Sequence, residues 1–297
     1  MTQRHRVHEW LRLKVRFGLS KVPYLPIRYT LAGESDEPTM MLWWSRVMPF
    51  LDPRRGLWDF ELYGWDTREL KFLRRFLRPD MTYIDIGAHQ GLYSVVASRV
   101  MEGRGTIVAF EPTGRDRKRL ALHLRLNGVR GVHLEPFAVS NKTGTATFYV
   151  PTSRTETVAS LRPPLLARTR LCEVTIPTTT LDEYCAQRNI TGIDIVKVDV
   201  EGAEMELMDG ASRILHDERP IWVVEAVDVV TRPWGYPARD ILRRLAAHDY
   251  SIFAFCETGH VIPHQIGEVY PLRSDANYLA VPIERARGFA VEHVYSG

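Results

Sequence analysis

The stretch YIDIGAHQG, Tyr83 to Gly91, constrains the fold more than any other part of the chain. Its apolar run reads as a buried strand and its glycines as a tight turn. The spacing of Leu92, Val95, Val96 and Val100 behind it reads as a helix. Strand, glycine turn and helix, in that order, is how open α/β sheets hold nucleotide-like ligands beyond the carboxyl ends of their strands. The rhythm continues downstream. TIVAFEP, Thr106 to Pro112, is a second strand, and Arg115 to Asn127 is a helix closed by Gly128. VHLEPFAVS, Val132 to Ser140, is a third strand; a turn at Asn141 to Gly144 lets TATFYV pair back. EVTIPTTTLDEY passes from strand to helix, and IDIVKVDVEG, Ile193 to Gly202, is a buried strand with acids at its end. The helix AEMELMDGASRIL, the strand PIWVVEA, a helix from Ala238 to His248, and the strands SIFAFC and NYLAVP complete the pattern. Such alternation predicts a doubly wound α/β fold, a mostly parallel sheet with helices on both faces.

The first 78 residues lack this alternation and are rich in aromatics: Trp43, Trp44, Phe50, Trp58, Phe60, Tyr63 and Trp65. Gly64 to Asp80 reads as a helix capped by Asp66 or Thr67, with Pro79 behind it. The expected organisation is an N-terminal helical and aromatic-rich extension over 1–78, a cap on the substrate side, followed by a ligand-binding domain over 79–297. Residues 1–30 carry seven basic side chains (Arg4, Arg6, Arg12, Lys14, Arg16, Lys21, Arg28) against Glu9, and Trp10, Leu11, Val15 and Leu19 give them an amphipathic pattern. A helix packed on its own domain with a solvated basic face is preferred over a foot for a membrane or an acidic partner. The net charge of +3 demands no polyanionic partner, so DNA is not expected. Three cysteines without a CxxC argue against a disulfide framework or a structural zinc site. With no apolar run of bilayer length, a cytoplasmic protein is expected.

The glycine turn discriminates among ligands. A dinucleotide fingerprint starting at Gly87 needs glycine where His89 and Leu92 stand, so a pyrophosphate is disfavoured. GxxxxGK[ST] does not occur, which excludes a phosphate-binding P-loop. Asp85, Gly87 and Gly91 suit S-adenosylmethionine instead. Asp85 is read as the partner of its ammonium, directly or through water. The helix N-terminus after Gly91 suits its carboxylate. Glu111, ending the next strand, is placed to accept two hydrogen bonds from the ribose diol.

The second chemical cluster is KVDVEGAE. Lys197, Asp199 and Glu201 alternate at a strand end and share a face. Glu225 ends the neighbouring strand WVVEA. Carboxylates at adjacent strand ends act as a general base or hold a divalent metal. The competing reading is a salt-bridge network, with Lys197 neutralising Asp199 and Glu204 on a helix surface. His89 is read either as a solvent-facing turn residue or as a base.

At these residues the sequence resembles the FkbM family of S-adenosylmethionine-dependent methyltransferases, from about Thr82 to Pro282. YIDIGAHQGLYS resembles the cofactor loop, which assigns Gly87, Ala88, His89 and Gly91 to cofactor binding. FEPTGRDRKRLALHLRLNG resembles the second motif, with Glu111 as ribose ligand beside Pro112. AVSNKTGTATF resembles the stretch whose start, at Ala138, lies near the adenine. TTTLDEY, DIVKVDVEGAEMELMDGA, IWVVEA, the HDY turn and NYLAVP follow in family order. His89 stands where the family usually has Asn, and Thr113 and Gly114 follow Pro112 where a proline often repeats. The resemblance implies a Rossmann-like class I methyltransferase that methylates a hydroxyl of a sugar or natural product, as in natural-product biosynthesis. Asp199, with Glu201, Glu225 or His89, is the implied base or metal cluster, and Asp199 is equally a candidate for the cofactor ammonium. A peptide side chain, including an amide nitrogen, or another macromolecule is the alternative acceptor. A non-catalytic cofactor-binding module is the third reading. Pro151 to Arg170, polar and proline-bearing, is expected to act as a lid over the acceptor.

Overall fold

A computed structural model describes residues 28–31, 38–41, 67–152, 158–272 and 276–293. The basic N-terminal stretch, the aromatic cluster between Trp43 and Trp65, and part of the expected lid, 153–157, lie outside the described residues. A short antiparallel pair, β1 (Arg28–Leu31) and β2 (Pro38–Met41), precedes α1 (Thr67–Phe76).

The strand–helix alternation then builds the sheet. β3 (Thr82–Ile86) leads into α2 (Leu92–Val100), and β4 (Thr106–Phe110) into α3 (Gly114–Leu126). The next strands are β5 (Val132–Glu135), β6 (Ala138–Val139), β7 (Gly144–Pro151) and β8 (Leu171–Thr179), and α4 (Leu181–Arg188) follows. β9 (Ile195–Val198), α5 (Glu204–Asp209), β10 (Ile221–Glu225), α6 (Asp228–Thr231) and α7 (Arg239–Ala247) come next. β11 (Tyr250–Phe255), β12 (Val261–Pro263), β13 (Asn277–Pro282) and α8 (Ile283–His293) close the described chain. The main sheet has eight strands in the order β12-β11-β13-β10-β9-β3-β4-β5. The run from β10 to β5 is parallel, and β13, β11 and β12 add antiparallel at the other edge.

Period-two alternation splits the strand side chains between two cores. Ile84, Val108, Val196, Trp222 and Val224 pack against Leu181, Leu207 and Leu242 of α4, α5 and α7. Tyr83, Ile107, Ile195 and Val223 pack on the opposite face against Phe72, Leu73, Val96 and Ala97 of α1 and α2. Both faces are covered, as the alternation predicts. Among the described residues no helix is long and apolar enough to cross a membrane.

Four sequence expectations are corrected. VHLEPFAVS is not one strand: β5 stops before Pro136, which has no N–H for a ladder, and β6 leaves for a second, three-stranded sheet ordered β6-β8-β7. β7 therefore pairs with β8, not back on the third strand. The strand read to Gly202 ends at Val198, and Glu201 sits in a turn with φ +54°. Strand alternation thus brings Lys197 and Asp199 together but does not place Glu201. The helix read through GASRIL breaks after Asp209 and resumes as a π turn, Ile214–Glu218, where Asp182 of α4 accepts from the N–H groups of Arg213 and Ile214 at 2.8 and 3.0 Å.

Candidate active site

The parallel strands end side by side, and their carboxyl ends carry the chemistry. Gly87 leaves β3 with φ +79°, and a Cβ there would meet the Asp199 carbonyl oxygen at 1.8 Å, so glycine is required. The loop hangs on β4: the N–H groups of Gly87 and Ala88 donate to Phe110 O at 3.1 and 2.9 Å. His89, itself at φ +48°, donates its N–H to Glu111 Oε2 at 3.0 Å. Glu111 Oε1 accepts from Thr113 N at 2.8 Å and Thr113 Oγ1 at 2.6 Å. Those donors take three of the roughly four lone-pair sites of a carboxylate, leaving one on Oε2. Burial pushes the Glu111 carboxyl up to about 7, against the Thr113 hydrogen bonds that pull it down. Pro112 fixes the start of α3, its carbonyl accepting from Arg117 at 2.9 Å. Ala138 is buried in the small sheet beside Phe148 and Ile176.

Asp85 lies beneath the loop rather than on it. It is fully buried; Oδ2 accepts from Ser94 Oγ at 2.6 Å, and Oδ1 has no hydrogen-bond partner. Burial raises its proton affinity, opposed by Lys197. The His89 ring, 35% exposed, lies 3.9 Å from Asp116 Oδ1. Burial lowers its pKa, against the pull of Asp116 and Asp199. Asp116 also pairs with Arg115 and Arg119 at 3.0 and 2.8 Å, so His89 stands between this cluster and Asp199, whose charge also acts on it.

Those acids come together from two strand ends. Lys197 Nζ donates to Asp199 Oδ2 at 3.2 Å and lies 4.4 Å from the centre of the Tyr93 ring. The ammonium is 3% exposed and Asp199 38% exposed, so the pair is anchored from below and open above. Glu201 and Glu225 hold their protons well above the usual carboxylate range, first through burial and then through repulsion from Asp199. Glu204 is not on a helix surface. It is buried, accepts from the N–H groups of Val200 and Gly202 at 3.4 and 3.3 Å, and is pushed up to about 7 by burial. The turn is clamped from outside: Ser160 Oγ and Trp234 Nε1 both donate to Glu201 O, at 2.8 and 3.3 Å. Ser160 lies within the expected lid, and its neighbour Arg162 stacks 4.7 Å over Trp234. Sequence reasoning missed two participants. Trp234 carries no motif. Asn277 starts β13 directly opposite Glu225, and only the pairing register reveals it.

Residues 85–252 match the Methyltransferase FkbM domain. The chain belongs to the FkbM methyltransferase family. Similar solved structures include methyltransferase FkbM from Methylobacillus flagellatus, at 16% identity and TM-score 0.44. That match covers 69% of this chain but 44% of the Methylobacillus chain, less than half of its length. Precorrin-6y C5,15-methyltransferase from Geobacter metallireducens matches at 18% identity and TM-score 0.41, over 73% of this chain and 88% of that one. An rRNA methylase from Streptococcus thermophilus matches at 11% identity and TM-score 0.40, over 72% and 92%. No curated protein matches the chain.

The family makes S-adenosylmethionine the cofactor whose fit the residues must meet, and they meet it. The glycine loop brings the backbone of β3 against β9 with no side chain between them. No side chain caps α2, so its leading N–H groups suit a carboxylate. Glu111 keeps one acceptor site for a ribose hydroxyl, and the buried Asp85 Oδ1 keeps an unused one below the loop. Among the described residues no group of three His, Cys, Asp or Glu side chains is arranged to hold a metal ion.

Proposed function

We propose that this FkbM-family protein transfers the methyl group of S-adenosylmethionine to a hydroxyl of a sugar or other natural-product small molecule, in the cytoplasm. One observation carries the reading: Glu225 ends β10 and Glu201 lies in the turn after β9, both close enough to Asp199 beside the cofactor loop for its charge, with burial, to raise their proton affinity. A neutral hydroxyl is a poor nucleophile and needs such a base. Asp199 is the weaker candidate, because Lys197 already neutralises it.

S-adenosylmethionine supplies an electrophilic methyl and its own neutral leaving group. What the protein adds is position and a proton acceptor. Glu111 and the glycine loop orient the cofactor. Lys197 and the Tyr93 ring hold Asp199 at the mouth. Glu225 and Glu201 are drawn toward their ionised forms when a cation shares the crevice, so the loaded site keeps the base in the form that can accept a hydroxyl proton. The odd cysteine number without a CxxC supports the compartment.

The test is transfer from methyl-labelled S-adenosylmethionine into small-molecule, glycan, protein and RNA fractions of a lysate. Alkali-stable label in the small-molecule or glycan fraction supports the reading. Label confined to protein would replace it with peptide methylation.

A further inference from the structure

β13 runs antiparallel to β10, and the register places Asn277 directly opposite Glu225. Directly opposed residues point to the same face, with Cβ atoms about 5 Å apart. Asn277 Oδ1 is sealed from solvent and accepts no hydrogen bond. Leaving a buried carbonyl oxygen unpaired costs on the order of 1–3 kcal/mol, so such a group marks the place of an absent donor. Two oxygen acceptors therefore stand side by side at the strand ends, on the face that carries Lys197 and Asp85.

Resting on the methyl-transfer reading, we propose that Asn277 and Glu225 together grip a vicinal diol: one hydroxyl donates to Asn277 Oδ1 while its neighbour, the one methylated, gives its proton to Glu225. A single hydroxyl has one proton and satisfies only one of the two oxygens. Adjacent hydroxyls on neighbouring carbons satisfy both. A cationic cofactor in the crevice draws Glu225 toward its ionised form, in which it accepts the second proton. The step balances. The hydroxyl O–H bond breaks and its proton passes to the Glu225 carboxylate. An O–CH3 bond forms as the C–S bond breaks, and the sulfur keeps that electron pair as a neutral thioether. Asn277 then acts as the specificity element, because an acceptor with one hydroxyl leaves its Oδ1 unpaired as before.

The experiment uses the full chain saturated with S-adenosylhomocysteine and a methyl pyranoside bearing free 2- and 3-hydroxyls, with its 3-deoxy analogue as control. Saturation-transfer NMR reads ligand contact, and calorimetry reads cofactor binding separately. The expected result is a pyranoside signal at least five-fold above that of the deoxy analogue. Asn277→Leu should lose that signal, and Asn277→Asp, which keeps an acceptor oxygen, should retain it, with cofactor affinity unchanged in both. Equal signals from diol and deoxy sugar, no signal from the diol, or an undiminished signal in Asn277→Leu each overturn the proposal while leaving methyl transfer standing. If the cofactor does not bind, the methyl-transfer reading falls, and the same titration on the unliganded chain still decides the role of Asn277.

Discussion

Gly87 and Asp199 meet backbone to backbone, so closely that a Cβ on Gly87 would lie 1.8 Å from the Asp199 carbonyl oxygen. The cofactor loop and the acid-bearing strand end are thereby one mechanical unit, tied further by Asp199 N donating to Ile86 O at 3.1 Å. Gly87→Ala must move one of them and also hold alanine at φ +79°, which alone costs about 1–2 kcal/mol. Calorimetry with S-adenosylhomocysteine should show at least a ten-fold loss of affinity, with a lower melting temperature. Wild-type affinity in the variant would mean that the loop and strand end move independently.

Glu204 sets a pH dependence of stability. Its carboxyl is raised by burial from 4.5 to about 7, so the folded state favours the protonated form. That contribution is complete below 4.5 and is lost as pH rises through 7. Glu204→Gln mimics the neutral acid and keeps an oxygen for the N–H groups of Val200 and Gly202. Denaturant melts should show the variant more stable above pH 7, by up to about 3 kcal/mol, with a flatter profile between pH 4.5 and 7. A variant that is less stable at pH 8 would show that the charged form is the one the fold accommodates.

Much of this was legible in the sequence, because the parallel strands are buried on both faces and announce themselves as apolar runs. The positions of Gly87, Glu111 and Asp199 just past strand ends were readable for the same reason: each follows a run whose end is easy to find. What escaped depended on non-local geometry. Pro136 diverts one strand into another sheet, and no periodicity foretells which neighbour β7 chooses. The place of Asp85 in the loop motif was readable but its depth was not: burial and Ser94 on Oδ2 set it underneath, with Oδ1 unused. Asn277 is silent until β13 is paired with β10.

Thr113 links cofactor affinity to pH. Its hydroxyl donates to Glu111 at 2.6 Å and accepts from Asp116 N at 3.3 Å, capping α3. Glu111 must be ionised to accept a ribose hydroxyl, and it titrates near 7, so S-adenosylhomocysteine should bind several-fold more tightly at pH 8 than at pH 6. Thr113→Val removes one donor that stabilises the carboxylate and one cap. The midpoint of the affinity profile should move to higher pH, and stability should drop by about 1 kcal/mol. A profile that is flat from pH 6 to 8 in the wild type would remove Glu111 from ribose binding.

Glu225 is raised by burial and by repulsion from Asp199 and Glu201, and this separates the base from its neighbour. Activity requires the base ionised, so turnover should rise with pH through a limb set by the raised carboxyl. With Glu225 as base, Glu225→Gln should lower kcat by about 100-fold or more and abolish that limb. Glu201→Gln should instead leave the limb in place and shift it to lower pH, because Glu225 then loses one of the charges that hold its proton on. The opposite pattern, with the limb lost in Glu201→Gln and merely shifted in Glu225→Gln, would transfer the base role to Glu201. Glu201→Gly adds an independent check on the turn. It relieves the backbone at φ +54°, where glycine is favoured over other residues by about 1–2 kcal/mol, while Ser160 and Trp234 still clamp the same carbonyl. This variant should melt higher than Glu201→Gln and show the same shifted limb, since both remove the same charge.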